Sequence, residues 1–243
     1  MLRFPKASGE IPAITKAQMV EVDRLMVEEY GISLEQMMEN AGRSLAVVAR
    51  DAFFKGNVRD KGVVVLAGTG GNGGGALACA RRLHIWGAKV RVVLAKPAAE
   101  YTGVPAQQLA ALQRMAVISL PEPPSGAQLV IDGLIGYSLK GAPRGKTRDL
   151  IEWTNRQIMP VLSLDVPSGL DATTGHYFAP TVRASATMTL ALPKTGLLTK
   201  NARPKVGELY LADISVPRTL YSAPGIGVNV GSIFSEGDIL KLR

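Results

Sequence analysis

The sequence predicts an α/β fold in which helices cover both faces of a central, mostly parallel β-sheet. Two observations lead to this fold class. Short apolar runs rich in β-branched residues alternate along most of the chain with longer segments of helical periodicity. The apolar runs also lack polar alternation, which is typical of strands that are buried on both faces. We therefore expect strand–helix–strand units joined by crossover connections.

Two helices are predicted before the first strand. Each begins at a capping box, Thr15–Gln18 and Ser33–Gln36, in which the first and last side chains satisfy free backbone amides. Apolar residues follow both boxes at helical spacing, and glycines at Gly31 and Gly56 can end the two helices. Residues 1–13 show no periodicity, so we expect them to form a loose N-terminal lead.

The remainder of the chain alternates between strands and helices. We predict strands over Gly62–Ala67, Val90–Leu94, Leu129–Asp132, Val161–Asp165, Ala186–Leu192 and Glu208–Leu211, and helices over Ala76–Trp86, Val104–Met115 and Thr147–Gln157. The residues after Ser215 are poorly periodic, although Ile239–Leu242 is apolar enough to dock against the body. Neither a repeat nor a linker divides the chain, so we expect one domain over residues 1–243.

Composition narrows the possible functions. The formal net charge of +8 could attract phosphates or nucleotides, but it specifies no site. An aromatic content of only 5% disfavours a stacking platform for single-stranded nucleic acid. One cysteine, Cys79, and two histidines leave little for disulfides or zinc. Without a signal peptide or a run of about 20 apolar residues, we expect a cytoplasmic protein that does not contact membranes.

A glycine-rich loop, Gly68–Gly75, stands between a predicted strand and a predicted helix. Its glycines let the backbone approach a ligand closely, and the N-terminus of the following helix favours an anion. The glycine spacing satisfies the dinucleotide-binding fingerprint. However, the Val90–Leu94 strand is followed by Lys96 instead of the acidic residue that would pair with a ribose. A plain dinucleotide-dependent dehydrogenase is therefore disfavoured, and a flexible glycine turn stays an alternative.

Two further strand ends carry carboxylates, namely Asp132 and Asp165, and the second is followed closely by Ser168. Because ligands bind outside the carboxyl ends of parallel strands, these side chains are candidates for one site near the glycine loop. An aspartate in such a crevice can transfer a proton or hold a cation, although a simple turn cap is the alternative for each. The segment Gly145–Thr147 lacks the spacing of a nucleoside triphosphate-binding P-loop.

Taken in order, these segments resemble the YjeF N-terminal domain family, whose enzymes are NAD(P)H-hydrate epimerases. The resemblance is carried by Ile14–Met19, Met38–Gly42, the glycine loop, Asp132-Gly133, Asp165–Gly169 and Leu192–Leu197. It implies a Rossmann-like three-layer α/β/α sandwich and a homodimer. The implied reaction interconverts the R and S forms of NADHX and NADPHX, which are hydrated on the nicotinamide ring. A separate ADP- or ATP-dependent dehydratase would then act on the S form.

The resemblance also implies the site residues. A potassium ion would be held by Asn72, Asp132 and Ser168, and Asp165 would transfer the proton. Substrate contacts would come from Gly71, Asn72, Gly73, Gly74, Gly75, Gly136, Tyr137, Ser138, Leu139, Lys140, Gly141, Ala142 and Asp165. The chain departs from the family loop at Gly71 and Gly75, which replace an asparagine and an aspartate, and Ala142 stands where some members have an aspartate. We expect these departures to alter efficiency or substrate choice.

Two alternative functions stay open at this stage. The glycine replacements in the loop and the positive charge are compatible with a non-catalytic nucleotide- or RNA-binding scaffold on the same fold. An isomerase that uses the altered loop for a different small molecule is the other alternative. The retention of Asn72, Asp132, Asp165 and Ser168 favours the epimerase, because a scaffold would not need the whole set.

Overall fold

A mostly parallel β-sheet forms the centre of the computed structural model, which describes residues 4–7 and 9–243. Its strands are β1 (Gly62–Ala67), β2 (Lys89–Leu94), β3 (Ser119–Leu120), β4 (Leu129–Gly133), β5 (Val161–Leu164), β6 (Ala186–Leu190), β7 (Glu208–Ala212) and β8 (Ile239–Lys241). Their order across the sheet is β3-β2-β1-β4-β5-β6-β7-β8, and only the β7–β8 pair is antiparallel. The predicted α/β architecture is confirmed.

Helices cover both faces of this sheet. They are α1 (Lys16–Glu28), α2 (Leu34–Val48), α3 (Gly71–Ile85), α4 (Gly103–Arg114), α5 (Gly145–Asn155) and α6 (Arg203–Val206). Apolar side chains of α2, α3 and α4 share one core with the sheet, whereas those of α5 belong to a second core on the other face. Both predicted capping boxes form, at Thr15 and at Ser33. None of the described helices is long and apolar enough to cross a membrane.

Helix α3 begins at Gly71, five residues before the predicted start at Ala76. The glycines that suggested a loop therefore form its first turn, where they allow close packing. A Cβ built on Gly73 would lie 1.7 Å from the Gly68 carbonyl oxygen, and one on Gly42 of α2 would lie 2.6 Å from the Gly75 carbonyl oxygen. Small residues are thus required for the approach of α2 and of the β1 loop to α3.

The edges of the molecule differ from the sequence-based expectation. Strands β3 and β8 were not predicted, since two or three residues are too few to show a periodic pattern. Part of the lead that was expected to lie loosely is anchored here: Lys6 forms a bridge with Lys241, and Phe4 is buried. Residues 1–3 and 8 of the predicted lead lie outside the described residues.

The sheet register brings the polar strand ends to one edge. Asp132 of β4 is paired with Leu66 of β1 on one side and with Ser163 of β5 on the other. The loops that follow β1, β4, β5 and β6 therefore leave the sheet at the same edge. This is the edge at which open α/β sheets bind their ligands.

We predict that Gly42→Ala destabilises the protein. The added Cβ would lie 2.5 Å from the Ala78 Cβ, so α2 and α3 would have to separate. Overpacking of this kind costs about 1–3 kcal/mol of unfolding free energy. Chemical denaturation would measure the loss, with Gly231→Ala as the matched control, because a Cβ there meets nothing within 4 Å. Equal stability of the two variants would contradict the packing role of Gly42.

Candidate active site at the carboxyl ends of the strands

A cavity of about 430 Å³ opens at this edge of the sheet. Its walls come from α1, α2, the start of α3 and the loops after β1, β2, β4, β5 and β6. The wall residues that carry the chemistry described below are Asp23, Asn72, Lys96, Tyr137, Asp165 and Lys194. Polar groups that are far apart in the chain thus face one shared space, as is typical of small-molecule sites.

A buried ion pair lies in the cavity wall. Lys194 Nζ is 2.5 Å from Asp165 Oδ1 and also donates a hydrogen bond to the Leu190 carbonyl oxygen at 2.9 Å. Asp165 has a φ of +64°, a left-handed conformation that is uncommon for a residue other than glycine. Its N–H donates to the Met188 carbonyl oxygen at 2.7 Å, which helps to hold this conformation. Such backbone conformations cluster at functional sites.

A second carboxylate approaches the ion pair from α1. The Tyr137 hydroxyl donates a hydrogen bond to Asp23 Oδ2, and Lys194 Nζ lies 5.9 Å from the centre of the Tyr137 ring. Burial raises the pKa of Asp23, although the Tyr137 hydrogen bond and the Lys194 charge oppose the shift. Burial, together with the Asp23 carboxylate, raises the pKa of Tyr137. Asp23 and Asp165 therefore both lie close enough to Lys194 to interact with its charge.

The carboxylate of Asp132 lies behind the cavity wall and is fully buried. Its Oδ1 accepts hydrogen bonds from Ser168 Oγ at 2.6 Å and from the Leu134 N–H at 3.3 Å. Its Oδ2 accepts from Ser163 Oγ at 2.8 Å and from the Ser168 N–H at 3.0 Å. Burial raises the pKa of Asp132, and these hydrogen bonds oppose the shift. Ser168 Oγ in turn accepts from the Ile135 N–H at 2.8 Å.

Asn72 joins the start of α3 to the end of β5. Its Nδ2 donates a hydrogen bond to the Leu164 carbonyl oxygen at 2.7 Å. Its Oδ1 accepts no hydrogen bond from any residue that the structure describes, and a Cβ on Gly136 would approach this oxygen to 2.5 Å. The absence of a side chain at Gly136 therefore leaves the amide oxygen uncovered in the cavity wall.

The predicted metal ligands can be judged by their donor chemistry. Among residues 4–7 and 9–243, no three His, Cys, Asp or Glu side chains cluster as a metal site. Asn72, Asp132 and Ser168 instead offer amide, carboxylate and hydroxyl oxygens, and the Ile135 carbonyl oxygen is 3.2 Å from Ser168 Oγ. An all-oxygen set with one buried negative charge suits a hard cation. The residues therefore fit a bound potassium ion.

The predicted substrate contacts fall into two groups. Gly71, Asn72, Gly136, Tyr137, Ser138 and Asp165 line the cavity. Gly73, Gly74 and Gly75 lie inside α3, and Leu139, Lys140, Gly141 and Ala142 do not line the cavity. A Cβ on Gly74 would come within 2.4 Å of Met38 Sδ, so this glycine packs against α2.

Three charged residues of the cavity, Lys194, Asp23 and Lys96, were not assigned site roles from the sequence. Lys194 gave a usable signal, because it follows a predicted strand whose end reaches the same edge as Asp165. Nothing in the sequence marked Asp23 as a site residue, since it stands among charged residues on an amphipathic helix. Only the packing of α1 over the sheet edge brings Asp23 to Tyr137.

An open α/β sheet with a buried ion pair beside a ligand-sized cavity defines an enzyme of the Rossmann-like class. The chain belongs to the family described as YjeF-related protein N-terminus, whose model matches residues 34–196. Sequence and structural relatives are consistent with this assignment over nearly the whole chain.

Two curated relatives and one solved structure illustrate the similarity. The chain is 42% identical to an NAD(P)H-hydrate epimerase of Dehalogenimonas lykanthroporepellens, over 99% of this chain and 97% of that protein. It is 35% identical to a bifunctional NAD(P)H-hydrate repair enzyme, Nnr, of Salinibacter ruber, over 85% of this chain but only 41% of that protein. The crystal structure of yeast ynu0 superposes with a TM-score of 0.80 at 28% identity, covering 96% of this chain and 100% of the yeast chain.

We predict that Asp23→Asn removes a loss of unfolding free energy that the wild type shows as the pH rises. Burial raises the pKa of Asp23 above its ordinary value of 3.8, so the folded chain binds this proton more tightly than the unfolded chain. The contribution of Asp23 to stability therefore falls as the pH rises from 3.8 through the raised pKa. Asparagine carries no charge and can still accept the Tyr137 hydrogen bond.

Urea unfolding at pH 4 and pH 7 would measure this effect. The unfolding free energy of Asp23→Asn minus that of the wild type should become more positive at the higher pH. The exposed Asp149, changed to asparagine, is the control and should show no such trend. A difference for Asp23→Asn that is independent of pH would contradict the burial argument.

Proposed function

We propose that this protein is an NAD(P)H-hydrate epimerase that interconverts the R and S forms of NADHX and NADPHX. The observation that carries the proposal is the buried Asp165–Lys194 pair in the wall of a cavity at the carboxyl edge of the sheet. The near full-length similarity to a relative that bears this name supports the same reaction.

The chemistry of the substrate explains why one carboxylate is needed. Hydration of a dihydronicotinamide places a hydroxyl group on a ring carbon next to the ring nitrogen. Inversion at this carbon can proceed by ring opening: as the hydroxyl proton leaves, a C=O bond forms, the bond from this carbon to the ring nitrogen breaks, and the electron pair passes to the nitrogen, which is conjugated with the carboxamide. Rotation turns the other face of the aldehyde to the nitrogen, the C–N bond re-forms, and the proton returns to the oxygen. Asp165 can accept and return that proton, and Lys194 fixes the orientation of its carboxylate.

The start of α3 offers a place for the substrate's pyrophosphate. Gly70 and Gly71 line the cavity where the N-terminus of this 15-residue helix points its free N–H groups. Such an end attracts negative charge through its backbone donors and its dipole. Because β1 lies two strands away from β5, a dinucleotide bound here can extend its nicotinamide end towards Asp165.

Potassium is proposed as the resident cation, held by Asn72, Asp132 and Ser168. Its positive charge would stabilise negative charge that develops on the substrate near the cavity wall. The uncovered Asn72 Oδ1 is the structural feature that supports this assignment. The hydrogen bond from Ser168 to Asp132 would hold these two ligand side chains in fixed positions.

The two glycine replacements in the loop differ in what they remove. A Cβ on Gly71 would meet only Met38 Cε, at 3.8 Å, so an asparagine here would have room and would extend the cavity wall. A Cβ on Gly75 would lie 2.9 Å from Leu164 Cδ2, so a larger residue would require that side chain to move. We propose that Gly71 enlarges the substrate cavity, whereas Gly75 mainly affects packing.

We also propose a cytoplasmic homodimer that works with a separate ADP- or ATP-dependent dehydratase. The support for a dehydratase comes from the relatives named bifunctional repair enzymes. This chain spans only 41% of the length of one such enzyme, so a further activity can reside in the remainder of that protein.

We predict that Asp165→Asn lowers kcat for epimerisation by about 10²–10⁴-fold, the range of general acid–base catalysis. Asparagine keeps the size and the oxygen acceptor of aspartate but cannot carry the proton. Conversion of R-NADPHX would be followed with an S-specific dehydratase, and Asp149→Asn would be the control. Circular dichroism would show that the variant is folded. A folded Asp165→Asn with wild-type kcat would contradict the assigned role.

We predict that potassium stabilises the folded protein through Asn72. An ion bound only by the folded state adds about 1.4 kcal/mol at ten times its Kd. Thermal unfolding in potassium chloride should therefore give a higher Tm than in tetramethylammonium chloride of equal ionic strength. Asn72→Ala should lose this difference, and the exposed-loop variant Asn57→Ala should keep it. A difference of equal size in both variants would exclude Asn72 as a ligand.

A further inference from the structure

Lys96 is a cavity residue that the proposed reaction does not use. It follows β2, whereas Asp165 follows β5, and both residues line the cavity. Strands β1 and β4 separate β2 from β5, so the two strand ends are about 14 Å apart at normal strand spacing. The pyrophosphate and riboses of an extended dinucleotide can cover such a span.

The ammonium group of Lys96 is available to a ligand. Its side chain is 57% exposed, and its nearest acidic partner, Glu100 Oε2, is 3.6 Å from Nζ and also exposed. Exposed pairs of this kind contribute little to stability, so a phosphate can displace Glu100 at small cost.

Charge is unevenly distributed along the cavity. Its acidic wall residues, Asp23 and Asp165, lie together near Lys194. At the β2 end, the described wall residues include Lys96, and the exposed Glu100 beside it does not line the cavity. An anionic group of the substrate is therefore attracted to the β2 end and repelled from the acidic end.

The residue after the second strand distinguishes nucleotides in Rossmann-like sites. An acidic residue there accepts a hydrogen bond from the ribose 2′-hydroxyl, whereas a nearby basic residue accommodates a 2′-phosphate. We infer that Lys96 binds the adenosine 2′-phosphate of the substrate and makes NADPHX the preferred hydrate over NADHX. This inference rests on the proposed function, with the reacting ring at Asp165 and the pyrophosphate at the start of α3.

The test compares the epimerisation kinetics of R-NADPHX and R-NADHX in the wild type and in three variants. Lys96→Ala should raise KM for NADPHX about tenfold, as expected for the loss of a charge-assisted hydrogen bond, and should leave NADHX nearly unchanged. Lys96→Asp should reverse the preference, because aspartate repels the phosphate and accepts a ribose hydroxyl. The control is Lys89→Ala, at the opposite end of the same strand, which should match the wild type.

A binding measurement keeps this inference separate from the proposed reaction. Calorimetry with adenosine 2′,5′-bisphosphate and with 5′-AMP should show tighter binding of the bisphosphate, and Lys96→Ala should abolish the difference. If neither hydrate is turned over but this difference is found, the proposed reaction fails and the phosphate site stands. Equal binding of the two nucleotides, or an equal effect of Lys96→Ala on both hydrates, would overturn the inference.

Discussion

The site depends on how the chain accommodates one buried carboxylate, that of Asp132. A buried charge without partners would cost several kcal/mol, and here both oxygens accept two hydrogen bonds each. The donors come from β5 and from the loops after β4 and β5, so satisfying Asp132 ties these segments together. Ser168 extends the connection by accepting the Ile135 N–H. The segments that carry Tyr137 and Asp165 are thereby held in fixed positions.

This constraint explains how Asp165 can keep an unusual conformation. Its positive φ is unfavourable, but its N–H is bonded within the sheet and its carboxylate is held by Lys194. Lys194 is itself fully buried, and its withdrawal would leave the Asp165 carboxylate as an unpaired buried charge. Strain in the backbone and a buried ion pair are thus maintained by the same packed strand ends. A carboxylate that is preorganised in this way need not reorganise during proton transfer.

Much of the fold could be predicted because its strong signals are local. The β1 strand has the predicted bounds, and the boxes at Thr15 and Ser33 begin helices as expected. The start of α3 could not be predicted, since glycines disfavour a helix locally and only the close approach of α2 makes them suitable. Asp132 and Asp165 of the site could be predicted because both stand at the carboxyl ends of predicted strands, where open α/β sheets bind ligands. The contact between Asp23 and Tyr137 depends on tertiary packing, which no spacing in the sequence encodes.

The glycine-rich start of α3 changes how a substrate can be held. Glycine at position 71 leaves a backbone donor and space beside Met38, but it has no side chain to contact a ligand. Orientation must then come from charges elsewhere in the cavity. Under the proposed binding mode, Asp23 and Asp165 beside Lys194 and the basic Lys96 after β2 would give an anionic dinucleotide one favourable direction. In this proposal, the distribution of charge along the cavity would orient the substrate where position 71 offers no side-chain hydrogen bond, because charge acts over a longer range than a hydrogen bond.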